Sequence, residues 1–449
     1  MADFNIRDYG AIGDGKTNDA AAIQAAIDAC TSAGGGRVIV PSGAVYLSGT
    51  ITLKSNVELH VERGATIEAS GAAADYTPAT LDPLPFAPAS PSLTFQITLI
   101  TASHADNIAI TGSGVIDGGG RKFIAQELPY IHRMKQIRPF TAFLVGCTHI
   151  TYRDIVVRDG AVWTLRFSGC EDLLIDGIRI LNDLKLPNND GIDLDHCRNV
   201  RIANCHIVSG DDCIVLKTCS DAGDFGPCEN ITVTGCTLVS TSSALIVGCE
   251  NYQPMRNIVF DSCVIQSSNR GLGIHMSYSS VMENILFSNM VIETRHFDTD
   301  WWGAAEPIYV VVAPWTATDT IGIARHIRFS NVLCKSESGV VVYCPEPGHI
   351  EDILFENVRV ELNKTSKWEG GYLDLRPIPT EGLPKHPISG FLLENAKNVT
   401  VRNCEVAWGE NRPDYYHHAL EAVNVDGLKI ENLKGVSADS VKYAAVWEH

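Results

Sequence analysis

From Asp106 onward, apolar and polar residues alternate in short runs that return to one motif. A polar pair precedes Ile, Leu or Val, an alternating run follows, and a small polar turn leads into a second short run. The copies read DNIAITGSGVI from Asp106, HITYRDIVV from His149, DLLIDGIRI from Asp172, NVRIANCHIV from Asn199 and NITVTGCTLV from Asn230. They continue as NIVFDSCVIQ from Asn257, NILFSNMVIE from Asn284, HIRFSNVLC from His326, DILFENVRV from Asp352 and NVTVRNCEV from Asn398, with a weaker GLKIENLKG from Gly427. Period-two alternation predicts strands, and the copies are too short to hold a helix. Steps of 31, 27 and 27 residues follow Asn199, one coil per copy, each needing its neighbour to bury its apolar side. The expected fold is all-β: a single-stranded right-handed parallel β-helix of about 10–12 coils. It is expected to form one domain over residues 1–449, with the first coils at 37–105 and the main repeats at 106–449.

The segment 1–36 breaks this rhythm. After Asn18, a candidate N-cap, AAAIQAAIDACTSA carries apolar residues at Ile23, Ala26, Ile27 and Cys30 and ends at Gly34-Gly35-Gly36. That stripe predicts a helix that caps the open end of the solenoid. Three intervals between copies are long, at 42, 42 and 46 residues, and predict inserted loops near 118–140, 294–306 and 363–390. Loops on one face of a solenoid usually build its binding surface. The first is basic (Arg121, Lys122, Arg133, Lys135, Arg138), the second holds Trp301 and Trp302, and the third holds Trp368 and Tyr372.

Thirty-five Lys+Arg against 53 Asp+Glu give the 449-residue chain a net charge of −18, which argues against nucleic acid or an anionic membrane as partner. No run of about 18 apolar residues is present to predict a helical membrane span. The opening MADFNIRDYG has neither basic n-region nor apolar h-region. The sequence as it stands is therefore expected to be cytoplasmic, or secreted or periplasmic if a leader was removed. Fourteen evenly spread cysteines without a CxxC pair read as buried thiols rather than as a disulfide framework.

Aligning the coils on their inward apolar residues locates the chemistry. Ile192/Leu194 precede Ile214/Leu216, Leu245/Val247, Leu272/Ile274 and Ile308/Val310. Two residues before each first inward position lies a column of Asp190, Asp212, Ser243, Arg270 and Glu306, with Trp163 one coil earlier. Asp193 falls beside Arg166, Asp211 beside Asp212, and His275 in a second outward column. Carboxylates stacked at strand spacing repel and push their proton affinities apart, the arrangement that lets one hold a proton while another stays ionised. Glycoside hydrolysis uses such a pair. Solvated corner residues or a Ca2+ site are the other readings of the same cluster.

At these positions the sequence resembles the polygalacturonases, glycoside hydrolase family 28. The resemblance runs from FNIRDYGAIGDGKTNDAAAIQAAI through the coils. Asn188-Asn189-Asp190-Gly191 matches the family's Asn-Thr-Asp-Gly motif with Asn in place of Thr, and Gly210-Asp211-Asp212 matches its Gly/Gln-Asp-Asp motif. The family's Gly-His-Gly falls on Ser242-Ser243-Ala244 and its Arg-Ile-Lys on Gly273-Ile274-His275, so the His and the uronate clamp are missing. Rhamnogalacturonan hydrolases in the family also lack the His. The resemblance implies a metal-free, cofactor-free inverting hydrolase in which Asp211 is the general acid and Asp190 and Asp212 activate water. Asn188, Asp193, Arg166, Ser243, Arg270, His275 and Glu306 are the candidate substrate contacts, with Trp301 and Trp302 as sugar-stacking rings.

The resulting expectation is exo-acting hydrolysis of a pectin-related oligosaccharide or polysaccharide of galacturonide or rhamnogalacturonan type. Alternatives are a hydrolase or transglycosylase for a neutral sugar, a glycan-binding β-helix without turnover, and a Ca2+-dependent lyase.

Overall fold

Ten of the copies have a polar corner at or next to their first residue. In the computed structural model, which describes residues 2–77, 97–221, 223–379 and 381–449, Asn107, His149, Asp172, Asn199, Asn230, Asn257, Asn284, His326, Asp352 and Asn398 all have φ between 52° and 60°. This left-handed conformation is costly for most side chains and least so for Asn, Asp and His. The mid-copy polar turn repeats it at Asp154, Gly177, Asn204, Gly235, Ser262, Asn289, Asn331, Asn357 and Asn403. The sequence repeat is therefore a repeat of backbone corners, with strands strung between them.

Parallel pairing joins each strand to its counterpart in the next coil, making a right-handed parallel β-helix. The coils fall into two compact units, Met1–Ile214 with Cys219–Pro227, and Val215–Thr218 with Cys228–His449. In the first, Ile108, Ile150, Leu173 and Val200 are successive partners. In the second the same position runs Ile231, Ile258, Ile285, Ile327, Ile353, Val399. Two ladders reinforce the second unit. Phe260, Phe287, Phe329 and Phe355 stack with centroids 4.8, 5.0 and 5.1 Å apart. Corner amides donate along the stack, Asn257 to Asn230 at 3.1 Å and Asn357 to Asn331 at 3.0 Å, which offsets part of the corner strain.

The helix spans Ala20–Ser32 and buries Ile23, Ala26, Ile27 and Cys30 against the strands Asp3–Asn5 and Gly36–Val40. Its N-cap is Asp19, one residue later than the Asn18 expected. The Asp19 carboxylate accepts from the N–H groups of Ile12 and Gly13, while Asn18 Oδ1 accepts from Ala20 N–H. Segment 1–36 also adds strands of its own: Asp3–Asn5 pairs with Gly36–Val40 and Asp14–Asn18 with Ala44–Ser48. Residues 78–96, within the segment read as first coils, lie outside the described residues, as does 380 in the third loop. The cysteines are thiols and thirteen of the fourteen are buried, Cys249 being half-buried. Among the described residues no helix is long and apolar enough to cross a membrane.

Candidate active site

Asp190, Asp211 and Asp212 meet in the first unit. The strand Val162–Ser168 pairs in parallel with Ile192–Asp195, setting Leu165 beside Ile192 and Arg166 beside Asp193, the register read from the inward residues. Asp190 stands at the turn two residues before that strand. Thr164 N–H donates to its carbonyl and Gly191 N–H donates to the carbonyl of Asp212, both at 2.8 Å. One oxygen from each of the three carboxyls lies within 4.8 Å of the others. Asp190 and Asp211 are 2% and 3% exposed, and Asp212 is half-buried. The glycines of both motifs are required by backbone contact. A Cβ at Gly191 would sit 2.5 Å from the Cys213 carbonyl oxygen, and one at Gly210 would sit 2.4 Å from that of Leu186.

The turn residues hold these carboxyls in place. Asp211 Oδ2 accepts from Asn188 N–H at 3.1 Å and Asn188 Nδ2 at 3.4 Å, and its Oδ1 accepts from Asp212 N–H at 3.1 Å. Asn189 accounts for its departure from the family's Thr. Its Oδ1 accepts from Gly210 N–H at 2.7 Å while its Nδ2 donates to the Asp183 carbonyl at 3.0 Å, two bonds in opposite senses that a hydroxyl on a shorter stem would not span. Arg138, from the basic first loop, also reaches Asn188 (Nη2 to Oδ1, 3.1 Å). Its role was not singled out in the sequence, where the only signal was its place in a cationic loop.

Arg166 and Asp193, expected beside the substrate, take another part. Arg166 is 2% exposed, with Nη1 donating to Asp221 Oδ2 at 2.9 Å and Nη2 to Asp195 Oδ2 at 3.0 Å. Phe143 and Trp163 flank its guanidinium at 4.7 Å each. Burial works against its charge, but Asp221 and Asp195 hold it well above the usual arginine range. The residue ties Asp221 to Asp195, so both of its terminal Nη groups are engaged within the protein. Asp193, in register with it, is fully buried. Asp195, Cys219 and Asp221 place ligand atoms within 4.8 Å, yet the guanidinium already serves as their cation, leaving a metal no vacant pair of carboxylates there.

The remaining candidates form their own set in the second unit. Ser243 pairs with Arg270, and Gly248 with His275. Arg270, expected as a substrate contact, is 1% exposed. It donates to Glu306 Oε2 at 3.3 Å, the Arg376 carbonyl at 3.0 Å and the Asp374 carbonyl, and its guanidinium packs over Tyr309. Glu306, expected to face the substrate, is the inner partner of this pair and also accepts from Ala304 N–H; burial raises its pKa despite Arg270. Buried Ser243 is likewise part of this wall. His275 is fully buried, both ring nitrogens lacking a partner among the described residues, and burial together with Arg270 lowers its pKa to about 3. Trp301 and Trp302 stack on each other, centroids 3.8 Å apart, so each ring covers one face of the other. Asp374 accepts from Gly303 N–H at 2.7 Å and Arg376 Nη2 at 2.7 Å, stitching the second loop to the third.

Coils stacked in parallel, with carboxylates gathered at an outward turn, place the chain among the right-handed parallel β-helix proteins. The sequence profile of Glycosyl hydrolases family 28 matches residues 30–371, and the chain belongs to that family. It is 32% identical over 224 residues to a probable polygalacturonase of Vitis vinifera, covering 48% of this chain and 44% of that protein. It is 28% identical over 251 residues to an exo-poly-alpha-D-galacturonosidase of Dickeya chrysanthemi, covering 47% and 41%. The chain thus spans less than half the length of these curated relatives. Its fold is shared with the exopolygalacturonase of Thermotoga maritima (TM-score 0.72, 24% identity, 92% of this chain and 93% of that one). It is shared too with the family 28 exopolygalacturonase of Yersinia enterocolitica (TM-score 0.68, 19% identity, 96% and 78%).

Proposed function

We propose that this chain hydrolyses the glycosidic bond of a pectin-related galacturonide or rhamnogalacturonan-type saccharide, acting from the chain end with inversion. Asp211 is the general acid; Asp190 and Asp212 position and deprotonate the attacking water. The observation that carries the reading is the convergence of three carboxyls within 4.8 Å. Two-carboxylate inverting sites space their groups roughly 6.5–9.5 Å apart to admit water; here the third carboxyl supplies the division of labour, two groups on the water side and one on the leaving oxygen. Membership of the family and similarity to the Dickeya chrysanthemi exo-enzyme support the substrate class and chain-end action.

The test is an Asp211→Asn variant assayed on oligogalacturonides, with the first product's anomer followed by NMR. Turnover is expected to fall by about three or more orders of magnitude with the fold intact. Near-normal turnover, or a first product that keeps the substrate's configuration, would refute the assignment. Viscosity falling well ahead of monomer release would instead show internal cleavage.

A further inference from the structure

Arg138 is 2% exposed and its guanidinium reaches three acceptors on two segments of the first unit. Nη1 donates to the carbonyls of Ala161 and Pro187, both at 2.8 Å, and Nη2 donates to Asn188 Oδ1 at 3.1 Å. Ala161 leads into the strand that begins at Val162, and Pro187 precedes Asn188, so one side chain bridges the approaches of two coils. The third acceptor is the informative one. Asn188 has all its polar groups engaged: Oδ1 accepts from Arg138, Nδ2 and N–H donate to Asp211 Oδ2, and its carbonyl accepts from Trp163 N–H at 2.7 Å. The bond from Arg138 decides which way the amide is turned. With Oδ1 facing the guanidinium, Nδ2 faces the carboxyl; an amide turned the other way would set its oxygen against Asp211.

Burying this guanidinium is costly. Its Nε is buried with no partner among the described residues, and burial draws its pKa down to about 10 although Asp190 and Asp211 attract its charge. A tie between two loop carbonyls needs no cation there, since any neutral donor of the right length would serve. Acceptors spread in two directions around a carboxylate cluster do call for a charged, rigid fork.

We propose that Arg138 is a positioning residue of the aspartate cluster: by fixing the Asn188 amide it sets the orientation of the Asp211 carboxyl, and its charge offsets those of Asp190 and Asp211. The proposal rests on the reading of Asp211 as the acid. It gives the basic first loop a purpose inside the protein, because Arg138 points inward from that loop to the turns bearing the acid cluster.

The test uses the full chain with Arg138→Gln, Arg138→Lys, Asn188→Ala and the Arg138→Gln/Asn188→Ala double variant, each measured for kcat, KM and thermal midpoint on oligogalacturonide. A misplaced catalytic group loses about 100-fold in rate. Arg138→Gln is therefore expected to lower kcat by that order with KM changed less than threefold. Arg138→Lys should fall between it and the parent, and Asn188→Ala should reproduce the kcat loss. The double variant should be no worse than the poorer single one, because both act through one amide. Additive losses, or a drop in activity that merely follows the thermal midpoint while KM and kcat change together, would overturn the proposal. Should Arg138→Gln fail to fold, Arg138→Lys and Asn188→Ala carry the test, and a normal kcat in both would overturn it. Asp211→Asn in the same assay separates the two readings. If it turns over normally, the catalytic assignment falls, whereas an inactive Asp211→Asn beside fully active Arg138 variants removes only the role of Arg138.

Discussion

His275 is a neutral imidazole kept that way by its surroundings. Its folded pKa near 3 lies below the ordinary 6.5 because burial and the Arg270 charge both oppose protonation. The unfolded chain takes up this proton as pH falls through about 6.5, but the folded chain does so only near 3. Acid therefore favours the unfolded state across that window, and this contribution to stability, full above about pH 6.5, declines toward pH 3. We expect His275→Gln to show a flatter loss of stability between pH 6.5 and 4 in urea unfolding; parallel curves for variant and parent would count against the buried neutral imidazole. The position of such residues was legible because register follows from inward Leu and Ile, and Arg270, His275 and Asp190 all fell in their expected columns. Their partners were not. Asp374 lies 104 residues beyond Arg270 and Arg138 lies 50 before Asn188, in loops whose conformation no periodicity encodes.

At the scale of elements, the copies announce themselves through their corners. Asn, Asp or His followed by Ile, Leu or Val marks a left-handed residue ahead of an inward one, so strand starts could be placed closely. The helix start was missed by one residue because Asp19 and Asn18 are both good caps, and contacts with Ile12 and Gly13 decided between them. The inserted loops were placed, but their mutual stitching was invisible. Asp374 joins the segment near Gly303 to Arg376 and faces the buried Arg270. Asp374→Ala leaves buried guanidinium without its full set of carboxylates, and breaking such a pair costs about 3–5 kcal/mol. Chemical denaturation is expected to show a loss of that size, with protease cleavage appearing in 294–306 or 363–390. A loss below about 1 kcal/mol would mean the loops are held by other contacts.

At the scale of the whole molecule, a net charge of −18 opposes the approach of any polyanion until salt screens it. If the substrate is a polyuronate, kcat/KM should rise with ionic strength up to about 0.15 M, where the screening length is roughly 8 Å. A neutral oligosaccharide should show no such rise. Paired assays of an acidic and a neutral substrate across a salt series separate these two substrate classes, and a flat response to polygalacturonate would argue that local cations already neutralise the approach.

The sulfur inside the stack bears on where the protein is able to work. Its coils are held by pleated backbone and interlocked hydrocarbon, with cysteine serving as one more small greasy side chain. Such a scaffold owes none of its cohesion to bridges that a reductant would cut, so glutathione-rich and oxygenated surroundings should suit it equally. Chemical attack by an oxidant would begin at Cys249 and reach the other thirteen only as the turns came apart.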